Sequence, residues 1–102
     1  MFKKENRYVT RGINTEVDLA IQIALWNMID ELKSKGDIKL DYLQVFEIEK
    51  VEEIIKIGHR QEVPHYSQTY MLNGINIEIT SKMKIFVIDD GENSTMMLSE
   101  EY

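Results

Sequence analysis

Carboxylates are most concentrated around Gly91, where Asp89, Asp90 and Glu92 follow one another closely. Hard cations such as calcium bind six or more oxygen ligands, and this segment can supply some of them. It lacks the spaced Asp and Asn positions and the closing Glu of a calcium-binding loop. Asp-Gly between two strand-like segments is typical of a tight turn with a solvated acidic tip. We therefore prefer the turn, and we predict no metal and no other cofactor.

His59 and His65 are the two histidines of the chain, and Pro64 lies between them. A zinc site would need both imidazoles, a carboxylate such as Glu62 and an open water position. The spacing matches no helical two-histidine motif, because the proline interrupts it. A histidine that acts as a general acid or base would also need a cleft and a partner. We expect each histidine to be exposed or to lie at a strand end.

Other catalytic motifs are missing from the sequence. The chain has no cysteine, which excludes disulfides, thiolate catalysis and Cys-based zinc sites. No serine has the context of a nucleophile elbow, and no glycine-rich loop can cradle phosphate. The sequence therefore favours a non-enzymatic protein and assigns no catalytic residue.

The two ends of the chain carry opposite charge. Residues 1–12 contain four basic side chains and one acidic side chain, whereas residues 89–102 contain five acidic and no basic ones. Arg7, Tyr8 and Arg11 could form a basic arm for nucleic acid, with Tyr8 stacking on a base. Alternatively, the ends are ordinary surface or attract each other. The formal net charge of -6 argues against nucleic acid as the main partner.

One long helix is predicted over residues 14–36. Thr15 is the expected N-cap, and Gly36 is the expected left-handed C-cap. Apolar residues at helical spacing form a stripe that should face the core. This core stripe consists of Val17, Ile21, Ala24, Leu25, Met28 and Leu32, flanked by Ala20 and Ile29.

A second apolar stripe lies on the opposite side of this helix, formed by Leu19, Ile23 and Trp26 at positions i, i+4 and i+7. A helix on one sheet needs a single apolar face, so the second stripe needs its own cover. Either the N-terminal segment or a loop folds over it, or it binds a partner. The simplest partner is a second copy of the chain, with Trp26 as the anchor.

The remaining chain alternates strand-like segments with turns. Strands are expected at residues 7–13, 38–48, 54–59, 66–72, 83–88 and 93–98, with a strand or strand-like arm at 75–80. Because a helix joins them, the first two strands should be parallel. Pro64, Asn73-Gly74 and Asp90-Gly91 mark turns or loops.

These elements predict a single α+β domain over residues 1–102, with residues 1–5 and 99–102 frayed. We expect one long helix packed on a mixed, mainly antiparallel sheet of five or six strands. The alternative is a strongly curved or barrel-like sheet plugged by the helix. The start of the chain lacks the apolar region of a signal peptide, and residues 21–29 are too short a run to span a bilayer. We therefore expect a cytoplasmic protein without membrane contact.

Four segments, NRYVTRGIN (6–14), LWNMIDELK (25–33), LDYLQVFEI (40–48) and KIFVIDDGENSTMMLSEEY (84–102), resemble a family of small Gram-positive bacterial proteins. The family is uncharacterised and is catalogued as domain of unknown function 960. The resemblance covers both ends of the chain and is looser between about residues 50 and 80. It implies a small cytosolic single-domain protein, and it transfers no catalytic or binding residue.

Three hypotheses for function follow. The first is a non-enzymatic protein-interaction or regulatory module, homodimeric through Leu19, Ile23 and Trp26, or binding another protein. The second is a nucleic-acid-associated regulator that uses Arg7, Tyr8 and Arg11. The third is a small-ligand or metal-binding protein that uses the two histidines or the acidic turn at residues 89–92.

Overall fold

The computed structural model of the chain describes residues 1–79 and 81–102. Over those residues the chain forms two α-helices, two short 3-10 turns (Lys4–Asn6 and Ser99–Glu101) and six strands in one sheet. The helices are α1 (Arg11–Glu16) and α2 (Leu19–Lys35). The strands are β1 (Arg7–Val9), β2 (Leu43–Val51), β3 (Ile54–Gln61), β4 (Tyr66–Asn73), β5 (Met83–Asp89) and β6 (Ser94–Leu98).

The strands lie in the order β1-β6-β5-β2-β3-β4. β1 pairs with β6 in parallel, and the other neighbouring strands pair in antiparallel. The predicted α+β fold with a mixed, mainly antiparallel sheet is confirmed. β1 and β4 form two separate edges, so the sheet is not the closed barrel of the alternative prediction. β1 and β2 run in the same direction, as predicted, although β6 and β5 lie between them.

One face of the sheet packs under α2 and forms the core. Alternation in β2 buries Phe46 and Ile48 on this face beside Gln44. Burial of each large apolar side chain stabilises the fold by about 1.5–3 kcal/mol. The predicted core stripe of the helix is confirmed, since its large apolar members are buried against the sheet: Val17, Ile21, Leu25, Met28 and Leu32, with Ile29 beside them.

The predicted helix over residues 14–36 is wrong at its N-terminal end. The chain instead forms two helices, because the backbone of Val17 is extended, with φ -113° and ψ 122°. Asp18, and not Thr15, caps α2 by accepting a hydrogen bond of 2.8 Å from a backbone N–H of the first turn. The predicted end is confirmed, since Gly36 is left-handed with φ 73°.

Gln22 connects the two helices across this break. Its side chain is buried, and its Nε2 donates to the carbonyls of Val17 at 2.9 Å and Ile13 at 3.4 Å. Carbonyls at the end of a helix have no partner from a following turn. The Ile13 carbonyl keeps its helical bond from the Val17 N–H, but the Ile21 N–H bonds to the Asp18 carbonyl and not to that of Val17. The Gln22 amide therefore supplies the one hydrogen bond to the Val17 carbonyl that a continuous helix would have formed.

Both ends of the chain, for which the sequence predicts fraying, make specific contacts. Phe2 is fully buried, and its N–H donates to Asp89 Oδ2 at 2.6 Å. At the other end the Glu101 carboxylate accepts hydrogen bonds from Thr10 Oγ1 at 2.7 Å and from Leu98 N–H at 2.8 Å. These bonds hold the pKa of Glu101 below its usual value.

The segment after β4 does not form the strand or arm predicted at residues 75–80. A turn at Gly74 sends residues 75–79 across the end of the sheet, where Ile77 is buried and its carbonyl accepts a bond of 2.7 Å from Lys50 Nζ. Gly74 is required here, because a Cβ would lie 2.7 Å from Ile55 Cγ1. Thr80, the last residue of that prediction, lies outside the described residues.

Replacement of Gln22 by Leu should test how the break is stabilised. The variant keeps a side chain of similar size but leaves the Val17 carbonyl without its donor, whereas the Ile13 carbonyl keeps the Val17 N–H. We therefore expect the free energy of unfolding to fall by about 1–3 kcal/mol. Urea denaturation measures the change. Asn27→Leu, at an exposed position of α2, is the control and should change stability by less than about 0.5 kcal/mol. Equal losses in both variants would contradict this role.

Candidate functional site

The carboxylates around Gly91 build a hydrogen-bonded turn, as the Asp90-Gly91 prediction requires. Asp89 is buried and accepts the N–H groups of Gly91 at 2.7 Å and Phe2 at 2.6 Å. Asp90 Oδ1 accepts two later N–H groups of the turn at 3.0 and 2.8 Å, and these bonds hold the pKa of Asp90 below its usual value. Within residues 1–79 and 81–102, no three His, Asp or Glu side chains are grouped to hold a metal ion.

His59 is buried, with 1% of its surface exposed, which corrects the prediction of an exposed or strand-end histidine. The physical reason is that β3 continues to Gln61, so alternation places His59 on the core face behind Ile55 and Ile57. Its ring stacks on Phe46, with centroids 4.4 Å apart. His65 is exposed, as predicted. The structure therefore does not bring the two histidines together as ligands.

A network of hydrogen bonds surrounds His59. Gln44 Nε2 donates to Gln61 Oε1 at 2.7 Å and to the Asp41 carbonyl at 2.9 Å. Gln61 Nε2 donates to two loop carbonyls at 2.9 and 2.8 Å. His59 Nε2 lies 2.6 Å from Gln44 Oε1. A polar group inside the core is stable only when such bonds replace its lost water, and this network provides them for both glutamine amides and for His59 Nε2.

The backbone fixes the direction of each bond in this network. Asp41 N–H can only donate, so the atom it contacts at 3.0 Å must be Oε1 of Gln61. Gln44 then presents its Nε2 to Gln61 and its Oε1 to His59, which must donate from Nε2. His59 Nδ1 is left without a hydrogen-bond partner in the described part of the chain. Burial lowers the pKa of His59 to about 4, so the ring is neutral near pH 7.

Arg7 joins the N-terminal segment to α2. Its guanidinium pairs with the Asp30 carboxylate and donates to the Phe2 carbonyl at 2.8 Å. It also stacks over Trp26, 4.8 Å from the ring centroid. The hydrogen bond and positive charge of Arg7 hold the pKa of Asp30 below its usual value. Because only 12% of the Arg7 side chain is exposed, this residue stabilises the structure and is not free to bind a ligand.

Tyr8 and Arg11 do not share a surface with Arg7. Arg7 and Tyr8 are consecutive in β1, so their side chains point to opposite faces of the sheet. Arg11 is exposed at the start of α1. The structure therefore does not assemble the predicted basic surface.

The second stripe of α2 is covered at one end and exposed at the other. Trp26 is half-buried, packs against the core and lies beneath Arg7. Leu19 is 66% exposed and Ile23 is 51% exposed. We call Leu19 and Ile23 the helix surface. The N-terminal segment thus covers Trp26, which the sequence offered as one of two alternatives, and the helix surface is left without its predicted anchor.

A larger group of exposed apolar side chains lies at one end of β2, β3 and β4, and the sequence analysis missed it. We call these residues, which are about half exposed or more, the edge patch: Val51, Ile54, Met71 and Ile75. Val51 and Ile54 are cross-strand neighbours, and Ile54, Met71 and Ile75 line one shallow depression. The alternation of side chains along each strand could have revealed this patch. Ile54 and Met71 alternate with the core-facing residues of their strands, so they point away from the core.

The face of the sheet opposite α2 carries a groove over Gly58 with a volume of about 290 Å³. Gly58 lies between Glu47 and Thr69 in the sheet, and its missing side chain creates the groove. Glycine inside a strand often marks a close approach by another group. Both carboxylates that line the groove have a cationic neighbour within the protein, since Glu47 pairs with Arg60 and Glu49 with Lys82, each at 3.5 Å.

Together these features define a small α+β protein with an open sheet and a core on one face. The family model DUF960, described as a staphylococcal protein of unknown function, matches residues 6–101. The chain therefore belongs to this family, as the resemblance predicted. It is also similar to the crystal structure of a protein of unknown function from Enterococcus faecalis, with 25% sequence identity and a TM-score of 0.81 over 100% of this chain and 98% of that one. The comparison with curated proteins gave no match.

In the described residues, neither helix combines the length and the apolar composition needed to cross a bilayer.

Replacement of Arg7 by Leu should show whether the contacts of Arg7, and not merely its positive charge, stabilise the fold. The variant leaves the Asp30 carboxylate and the Phe2 carbonyl without their partner, so we expect stability to fall by about 2 kcal/mol. Trp26, the single tryptophan, should become more exposed and its fluorescence should shift to longer wavelength. Arg11→Leu makes the same charge change at an exposed position and should alter neither property. An unshifted emission maximum in Arg7→Leu would contradict the contact.

The buried His59 predicts a pH dependence of stability. Its pKa is about 4 in the folded protein and 6.5 ordinarily, so the unfolded chain binds the proton more tightly. The stabilisation is complete above about pH 6.5 and is lost as the pH falls toward 4, by roughly 3 kcal/mol in total. Urea denaturation of wild type and His59→Gln at several pH values measures this loss.

The difference in stability between wild type and His59→Gln at each pH reports on His59 alone, because the carboxylates titrate in both proteins. The variant should lack the part of the slope between pH 6.5 and 4 that His59 contributes, and His65→Gln should retain it. Identical pH profiles for wild type and His59→Gln would show that His59 does not cause the loss.

Proposed function

We propose that the protein is a non-enzymatic protein-interaction module that works as a homodimer in the cytoplasm. The observation that supports this proposal is the edge patch, in which Val51, Ile54 and Met71 on strands and Ile75 in the following turn expose neighbouring apolar side chains. Scattered apolar residues are normal on a protein surface, but a contiguous group is typical of a binding site. Binding would remove this group from water.

A second copy of the chain is the partner that the surrounding charges favour. Glu53 lines the depression of the edge patch, and Lys56 is the cross-strand neighbour of Met71. Both signs of charge thus border the patch. Two copies can meet there without placing surfaces of one sign against each other, which would weaken association.

The side chains that the sequence offered for chemistry have structural contacts instead. His59 donates within a buried network, Asp89 and Asp90 hold a turn, and Arg7 pairs with Asp30. These contacts support a non-enzymatic function. They also weaken the nucleic-acid hypothesis, because Arg7 was one of its two cations.

The helix surface is the second candidate for the dimer interface, favoured by the exposure of Leu19 and Ile23. It is smaller than the edge patch, since Trp26 is covered by Arg7. Glu16 and Asp18 are exposed nearby in sequence and carry the same charge. Two copies that met through this surface would bring like charges together. The edge patch is therefore the preferred interface.

Sedimentation velocity at several protein concentrations tests both surfaces. We expect a dimer for wild type, a monomer for Ile54→Lys and a dimer for Ile23→Lys. A lysine within the edge patch should weaken association about tenfold or more, because its charge would have to lose water. Ile54 and Ile23 are both about half exposed, so each variant should fold, and circular dichroism checks this.

The remaining outcomes decide against parts of the proposal. A wild-type protein that is monomeric at every concentration would overturn the homodimer. A dimer that is lost in Ile23→Lys and kept in Ile54→Lys would assign the interface to the helix surface.

A further inference from the structure

β4 is an edge strand without the usual protection against pairing. It is eight residues long, whereas β1 at the other edge has three. Natural edge strands are commonly short, charged or interrupted by proline, because their unpaired backbone groups attract other strands. The sequence of β4, YSQTYMLN, contains no charged residue, no proline and no glycine. Its composition therefore permits a further strand to add.

The backbone groups that face outward can be assigned from the turn after β4. Gly74 N–H donates to the Glu53 carbonyl of the neighbouring hairpin at 2.8 Å. Backbone groups alternate in direction along a strand, so Leu72 and Tyr70 also direct theirs toward β3. Ser67, Thr69 and Met71 therefore direct theirs outward. No hydrogen bond from elsewhere in residues 1–79 and 81–102 reaches these outward groups.

The chain that follows β4 leaves this edge open. After Gly74 it crosses the end of the sheet, where the Ile77 carbonyl accepts a hydrogen bond from Lys50. Lys50 belongs to β2, which lies two strands inward from β4. The crossing segment thus runs toward the middle of the sheet and not along its outer edge.

We propose that β4 pairs with β4 of a second copy in antiparallel, with Met71 at the two-fold axis, so that the two sheets join into one. This inference rests on the proposed homodimer and names how its two copies meet. Met71 would lie opposite Met71 of the second copy, and Thr69 opposite Asn73. Each hydrogen-bonded pair exchanges two backbone bonds, which gives about six bonds across the interface.

The side chains select this register. On the α2 side of the sheet, Tyr70 would lie opposite Leu72 of the second copy, a favourable aromatic–aliphatic pair that occurs twice. On the other face the two Met71 side chains would meet, and both edge patches would merge around the axis. A four-residue shift in register, which places Thr69 at the axis, would set Tyr70 opposite Gln68 and Met71 opposite Ser67. That register separates the edge patches and loses the apolar pairs.

Single cysteines can test the register, because the chain has no cysteine of its own. In Met71→Cys the paired Cα atoms should be about 5.5 Å apart, which lies within the range of about 4.4–6.8 Å that a disulfide allows. In Thr69→Cys the two sulfurs should be too far apart. We therefore expect a covalent dimer on a non-reducing gel after mild oxidation of Met71→Cys, and none for Thr69→Cys. A mixture of Thr69→Cys with Asn73→Cys should cross-link.

Thr69→Pro provides a second measurement that does not depend on cysteine chemistry. Proline removes an N–H that points outward, and edge strands tolerate proline at such positions. The variant should keep the circular dichroism spectrum of wild type and sediment as a monomer. A folded Thr69→Pro protein that still forms the dimer would overturn β4 pairing.

The outcomes also separate this inference from the proposed function. A wild-type dimer without cross-linking of Met71→Cys would overturn the β4 register and leave the homodimer standing, with the edge patches packed in another way. Cross-linking of Thr69→Cys in place of Met71→Cys would overturn the register as well. A monomeric wild type would overturn both proposals, and an extended segment of another protein would then be the strand that β4 accepts.

Discussion

One helix of seventeen residues has to cover a six-stranded sheet, and much of the structure follows from that constraint. A helix with its side chains is about 10–12 Å wide, whereas neighbouring strands lie about 4.7–4.9 Å apart. α2 therefore covers about two or three strands of the core face. The rest of that face needs other cover, and different segments of the chain provide it.

Three kinds of cover surround α2. Phe2 fills the core beside Asp89, and Arg7 holds it there while also covering Trp26. Residues 75–79 close one end of the sheet with the buried Ile77. Beneath the loop before β2 the core is polar, and its side chains are joined by hydrogen bonds. These side chains are Gln44, His59 and Gln61. β4, at the far edge, keeps an open outer side. The edge-patch side chains of β2, β3 and β4 stay exposed because they point away from the face that α2 covers.

Local sequence patterns predicted the features of the fold that depend on residues close together in the chain. Alternating apolar residues predicted strands that include most of β2 and β3. Gly36 predicted the end of α2, because glycine readily adopts the left-handed backbone of a C-cap. The break at Val17 was missed because Thr15 and Asp18 are both residue types that favour the N-cap position, and the bond from Gln22 to the Val17 carbonyl depends on tertiary packing. The buried His59 depended on where β3 ends. The Arg7–Asp30 pair and the edge patch depend on which segments meet and on strand order, which no single sequence pattern carries.

Amide hydrogen exchange in β4, measured residue by residue with NMR at high and low protein concentration, tests the pairing of two copies most directly. Exchange reports whether a backbone N–H is held in a hydrogen bond, and local opening accelerates it. The outward N–H groups of Thr69 and Met71 should exchange slowly at high concentration and become fast on dilution. The inward N–H groups of Tyr70 and Leu72 should be slow at both concentrations, since they bond to β3. Fast exchange of Thr69 and Met71 at every concentration would contradict the joined sheet.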